Sequence, residues 1–161
     1  MCWISKELKP LTSDGNVKVF KVCKFKKNTL CGYWYDSFKY KLNKEYQTKI
    51  TIEFNLLHDF YEGTTGFHSY DASLCKVKLR NYVGIILLVY KCGENYVDKL
   101  NFPSYSLSLL SETTSCLVEG YIPKGAQYHV NEYGEIISNK LVLEKIIPIE
   151  SIENSELYLK Q

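Results

Sequence analysis

The stretch "YIPKGAQYHVNEYGEIISNKLVL", Tyr121 to Leu143, decides how the chain is read. Pro123 and Gly125 set a turn, and "AQYHV" and "EIISN" alternate on either side of "NEYG", with the glycine last in that turn. Alternation bounded by turn residues predicts a β-hairpin. Tyr128 lies on one face of its first strand and His129 on the other, since side chains alternate across a strand. Lys124 falls in the Pro-Lys-Gly turn, exposed, while Glu132 and Glu135 flank the second turn. Two readings of those carboxylates stay open: solvated hairpin charges, or a loop presenting Glu135 to a substrate.

Strand signals continue in both directions. "SCLVEGYI" (115–122) and "LVLEKIIPI" (141–149) read as strands, with Pro148 placing the end of the latter at a sheet edge. "VKVFKVCKF" (17–25) mixes β-branched, aromatic and lysine residues, the pattern of a strand with one wet face. In "TKITIEF" (48–54), Ile50, Ile52 and Phe54 face one way and Thr51 and Glu53 the other, which predicts a half-buried strand. "YVGIILLVYKC" (82–92) is apolar throughout and predicts a central strand covered on both faces. "HDFYEGTTGFHSY" (58–70) reads as a loop leading into a short extended piece. Asp71 is then placed as an N-cap, with two helical turns over "ASLCKVKLR" carrying Leu74 and Val77 inward. The expected fold is α+β, mainly β. It is a single domain over residues 1–161, with seven or eight strands in a curved mixed sheet or two packed sheets, and one or two short helices.

Composition agrees. A chain of 161 residues buries a core without disulfide staples, and 14 tyrosines in an aromatic share of 14% favour strands. Residues 1–50 hold eleven lysines against four acids, and the remainder nine basic residues against fourteen acids. That asymmetry marks a candidate anion-binding half, unless the halves interleave and the charges mix. Arg80 is the single arginine, which argues against sequence-specific readout of duplex DNA, where bidentate arginine is the commonest device. The six cysteines form no C-x-x-C pair and none lies near a histidine at zinc-ligand spacing, so no metal site is expected. They read as reduced thiols of a cytoplasmic protein. The N-terminus lacks a signal-peptide pattern, and the apolar run at 83–90 is too short to span a bilayer, so no membrane association is expected. A homo-oligomer is compatible with all of this.

Nucleophile-elbow, P-loop, H-E-x-x-H and dinucleotide-binding glycine motifs are absent, and no cofactor is implied. Three groups of residues remain as candidates. In "GFHSYD" (66–71), His68, Ser69 and Tyr70 would line an anion site at the expected helix start; the alternative is plain capping. In "YWYDSFKY" (33–40), Tyr33 and Tyr35 share a face beside Lys39 and Lys41, suited either to stacking a base or to core packing. The third is the opening stretch, with Lys124, Tyr128 and Glu135.

"MCWISK", "VKVFKV", "GFHSYD" and "IPKGAQYHVNEYGEIISNKLVL", taken in that order, resemble a group of small, functionally unassigned proteins from gut bacteria and their phages. More distantly, the layout resembles the ADP-ribosyltransferase fold, in which a "PKG" strand precedes a loop with a catalytic glutamate. That likeness sets "GFHSY" at the family's second motif and Glu135, in "GEII", at the catalytic position, with NAD as substrate. The first strand departs from the family, offering Lys18 and Lys21 where an arginine or histidine is usual.

The function expected is therefore a non-enzymatic phage or phage-derived protein that binds a small ligand. The ligand would be a nucleotide signal sequestered against host defence, held by residues drawn from Lys18, Lys21, Tyr33, Tyr35, His68, Ser69, Tyr70, Lys124, Tyr128 and Glu135. The alternatives are an ADP-ribosyltransferase-like enzyme using Glu135, and a protein-interaction or virion component.

Overall fold

Alternating sequences separated by glycine and asparagine turns produce an almost wholly β structure. The computed structural model describes residues 3–26, 29–32, 37–73, 75–82, 85–92, 95–103 and 113–147, with fifteen strands and no helix among them. In chain order they are β1 (Trp3–Ser5), β2 (Pro10–Thr12), β3 (Val17–Lys26), β4 (Thr29–Gly32) and β5 (Glu45–Gln47). Then come β6 (Thr51–Asn55), β7 (Phe60–Thr65), β8 (Phe67–Asp71), β9 (Cys75–Tyr82) and β10 (Ile85–Cys92). Last are β11 (Asn95–Pro103), β12 (Thr113–Ile122), β13 (Gln127–Val130), β14 (Glu135–Ser138) and β15 (Lys140–Ile147).

Nine of these strands make the main sheet, in the order β2-β13-β14-β8-β3-β12-β15-β5, with β4 also paired to β3. The strand order β1-β7-β6 forms a second sheet, and β11-β10-β9 a third. Every pairing is antiparallel. β3 is the spine of the main sheet. It pairs along its whole length with β12, from Val17↔Ile122 to Lys26↔Thr113. Its other edge is shared, β8 taking Val19 and Phe20 and β4 taking Cys23 to Lys26.

The main core follows from that register. Val19, Cys23, Cys116, Leu117, Val118, Ile122, Ile136, Leu141 and Leu143 are all fully shielded or nearly so. Each large aliphatic side chain buried in this way contributes about 1.5–3 kcal/mol. Phe38, Tyr40, Tyr46 and Phe67 add a ring cluster, with centroid separations between 4.8 and 5.9 Å.

The β1-β7-β6 sheet lies against β14 and is pinned there by Trp3, which is completely buried. Its indole Nε1 donates to the Glu135 carbonyl at 2.9 Å. Ile137 fills the joint, so closely that a Cβ on Gly63 or Gly66 would collide with its side chain. Gly66, at φ +140, is also the corner where the chain leaves the smaller sheet and enters the main one.

Several expectations change at this level. Within 58–70, the expected loop is instead the strand β7, while the short extended piece expected after it is β8, the two meeting at Gly66. The helix expected over 72–80 is absent: Cys75 to Tyr82 is β9, and Asp71 closes an Asx turn, its Oδ1 accepting the Ser73 N–H at 2.8 Å and the Ser73 hydroxyl. β10 is central in its three-stranded sheet, as its apolar sequence predicts. β15 runs to Ile147, just before Pro148, and β5 covers only Lys140 to Val142, so among the described residues its far end has β12 alone as a neighbour.

Candidate functional site

β13 and β14 form the expected hairpin, and its turn explains its own sequence. Asn131 N–H donates to the Glu135 carbonyl at 3.0 Å, and Gly134 N–H to the Asn131 carbonyl at 3.1 Å. Gly134 has φ +75. This is a tight turn closed by a left-handed glycine, the three-residue hairpin connection that follows a type I turn. Asn131, nearly buried, uses all of its side-chain capacity. Its Oδ1 accepts from Tyr133 N–H (3.0 Å) and Glu135 N–H (2.9 Å), and its Nδ2 donates to the Ile4 carbonyl (2.8 Å) and to Glu135 Oε1 (3.0 Å). The Glu135 carboxylate is thus engaged by Asn131, and its carbonyl by Trp3. Sequence reasoning missed Asn131 and Trp3 as the parts that hold this corner together.

Register assigns the other candidates to separate faces. Glu135 stands opposite Tyr70, Ile137 opposite His68, and Tyr70 opposite Phe20. These side chains share one face, and the Tyr70 and Phe20 rings stack at 5.4 Å. Ser69 and Lys21 are each one residue along from that pair, so both point to the opposite face. Tyr128 lies opposite Ser138 on β13 and packs against the main core. Burial, followed by the carboxylates of Asp71 and Asp14, raises its phenol pKa. Lys124 is exposed in its turn, where its backbone N–H donates to Asn16 Oδ1. Tyr33 and Tyr35 lie outside the described residues.

Lys18 belongs to a different place again. It pairs with Glu119, which also binds Lys145 at 3.1 Å. Burial by itself would raise the Glu119 pKa, but hydrogen bonds from the two lysines outweigh it and leave the carboxyl below its usual range. The trio, with Asn16, Tyr121 and Glu144, lines an open groove of about 550 Å³ at the β12 bulge. Lys18 there is already matched by Glu119. Glu119 was readable in the sequence as the lone charge within "SCLVEGYI".

What remains is Lys21 and its surroundings. Lys21 sits opposite Val118 on β12, between Val19 and Cys23 along β3, and all three neighbours are 0% exposed. Its ammonium donates to the His68 carbonyl. Desolvation lowers the Lys21 pKa, and burial followed by the Lys21 charge brings His68 down to about 4. On the same face Ser69 is buried, and its hydroxyl has no hydrogen-bond partner among the described residues. Cys23, whose pKa burial pushes up to about 12, and Cys116 are free, shielded thiols with little thiolate character. Among the described residues no group of three or more histidine, cysteine or acidic side chains is arranged to hold a metal.

Comparison of the chain with protein-family models, with curated proteins and with solved structures finds no match. Among the described residues, no helix is long and apolar enough to cross a membrane.

Proposed function

We propose that the chain is a non-enzymatic binding protein for a small anionic ligand, and that Lys21 and Ser69 hold the anion. One observation carries this reading. Among the described residues, an ammonium with a single acceptor and a buried hydroxyl with none point to the same face of the main sheet, amid apolar side chains. Leaving such groups unfilled costs about 1–3 kcal/mol each, and more for a charge. An anionic oxygen would satisfy both, accepting from the ammonium and the hydroxyl together. Phosphate is the commonest biological group of that kind, so a nucleotide or cyclic nucleotide is the ligand class put forward. Capture of a signalling nucleotide against host defence is the role put forward with it.

Isothermal titration calorimetry with a panel of nucleotides and cyclic nucleotides tests the reading. One member should bind, and both Lys21→Met and Ser69→Ala should weaken it by about tenfold or more, the size of one charge-assisted hydrogen bond. No binding by any member, or binding indifferent to both substitutions, overturns it.

A further inference from the structure

Several lysines of this chain are matched by carboxylates, Lys9 by Glu7, and Lys18 and Lys145 by Glu119. Segment 37–49, which follows β4 and includes β5, differs. It holds Lys39, Lys41, Lys44 and Lys49 against Glu45 alone, and all four lysines are exposed. Among the described residues no ion pair engages any of the four. Unneutralised cations gathered on one segment attract a polyanion.

The backbone that carries these charges is fixed. Lys39 bridges Cys31 on β4, and beside that bridge Gly32 N–H donates to the Phe38 carbonyl at 3.0 Å and Tyr40 N–H to the Leu30 carbonyl at 2.9 Å. Lys41 N–H donates to Tyr46 Oη at 2.7 Å, Asn43 N–H to the Leu143 carbonyl at 2.7 Å, and Thr48 N–H to the Asn139 carbonyl at 2.8 Å. Asn43, at φ 59, turns the chain between Lys41 and Lys44. Set among the lysines is an aromatic ring with an open side. Phe38 is 41% exposed, although Tyr40, Tyr46 and Phe67 back it with centroids 4.8, 5.5 and 5.9 Å away. Tyr40 is buried, and the Lys44 ammonium lies over the Tyr46 ring, 5.1 Å from its centroid. Of the three rings in this segment, Phe38 is the one left for another planar group, with a cation held over the ring beside it.

We infer that segment 37–49 binds single-stranded nucleic acid, a base stacking on Phe38 while Lys41, Lys44 and their neighbours take phosphates along the strand. An aromatic platform among cations is what such a strand requires, and every base has a face to stack, so binding tolerates any sequence. A duplex keeps its bases stacked on one another and offers Phe38 none. A free nucleotide presents its charge at one point, whereas these lysines are spread along a segment bonded to β4 at one end and to β15 near the other. An anionic bilayer would attract the same cations, but an interfacial anchor must push apolar side chains in among the acyl chains. Phe38 and Leu42, at 41% and 39% exposed, are held in the surface and do not project from it. The segment shares no residue with the Lys21 and Ser69 site.

Fluorescence anisotropy with labelled oligothymidylate and oligouridylate, over a series of salt concentrations, tests the inference on the full chain. Both oligomers should bind, with log K falling linearly against log salt. Lys41→Gln and Lys44→Gln should each weaken both complexes and reduce that slope by about 0.7, the share of one phosphate contact on a single strand. Phe38→Leu, which keeps an apolar side chain against the ring cluster, should weaken binding about fivefold or more and leave the slope unchanged. Phe38→Tyr should bind as the unmodified protein does, and Lys9→Gln, at a lysine already paired with Glu7, should change neither quantity. A labelled DNA duplex and vesicles of phosphatidylserine and phosphatidylcholine should bind more weakly than the oligomers. No binding of either oligomer, equal or tighter binding of the duplex or the vesicles, or an affinity indifferent to Phe38→Leu overturns the inference. A slope reduced as much by Lys9→Gln as by Lys44→Gln overturns its placement on this segment.

Discussion

Asn131 illustrates how much a single side chain can organise. It closes its own turn, holds the Glu135 carboxylate and reaches the backbone of β1 at Ile4, 127 residues away in sequence. Asn131→Ala should cost about 2–4 kcal/mol, from several hydrogen bonds lost and buried groups left unpaired, read as a shift in the urea midpoint at constant slope. Asn131→Asp should cost nearly as much, since it keeps the acceptor but cannot donate to Ile4 or Glu135. His68 makes a prediction about acid. Its pKa in the fold is about 4, below the unfolded value near 6.5, so the unfolded chain binds more protons between those limits. The stability it contributes is full above about pH 6.5 and is lost as pH falls toward 4, on the order of 3 kcal/mol. His129 is also lowered by burial and adds in the same direction. His68→Gln should flatten this part of the stability–pH curve. Asparagine at the start of a turn was legible in the sequence; its reach across to another sheet was not, because local spacing does not reveal a contact over such a separation.

At the level of elements, glycines mark where strands come close. A Cβ on Gly120 would meet the Val142 carbonyl oxygen and Leu143 Cα, backbone atoms that cannot swing aside at the β12–β15 bulge. Gly66 combines its collision with Ile137 with a φ of +140. Gly120→Ala and Gly66→Ala should each cost about 3 kcal/mol or more, whereas Gly15→Ala, with nothing near it, should be nearly neutral in the same thermal melts. Gly63→Ala meets mainly the end of Ile137, so Ile137→Val should recover part of its loss. The hairpin, β3, β12 and β15 were readable because alternation, turn chemistry and burial agree there. The helix expected at 72–80 failed on competing periods. Leu74 and Val77 suggest a helical step, but Cys75, Val77 and Leu79 alternating with Lys76, Lys78 and Arg80 is a strand pattern, and strand pairing won. β6 was legible as a strand, with Ile50 and Ile52 half-buried as expected and Phe54 exposed, since alternation shows that a face is apolar without saying how far its cover extends. The candidate site was less legible. Ser69 and His68 were singled out, but their assignment to opposite faces follows from β8 being a strand.

Across the whole molecule, the joint between the small sheet and the main sheet rests on Trp3. Trp3→Phe should lose about 1 kcal/mol with the indole hydrogen bond, while Trp3→Ala should lose about 3–5 kcal/mol. The larger substitution should raise hydrogen exchange in β7 more than in β12, because it detaches one sheet without opening the other. Arrangement also bears on how the fold is reached. β3 emerges early in synthesis, and among the described residues its one partner close in sequence is β4. Its full-length neighbour, β12, begins at Thr113 and is itself flanked by β15. During translation the spine of the main sheet therefore waits, half-paired, for the last third of the chain to leave the ribosome. Closure over such distances is slow, placing refolding in the millisecond-to-second range of β-rich domains or beyond. Until then the lysines spaced along β3, at 18, 21, 24 and 26, give the waiting strand a charge that resists aggregation.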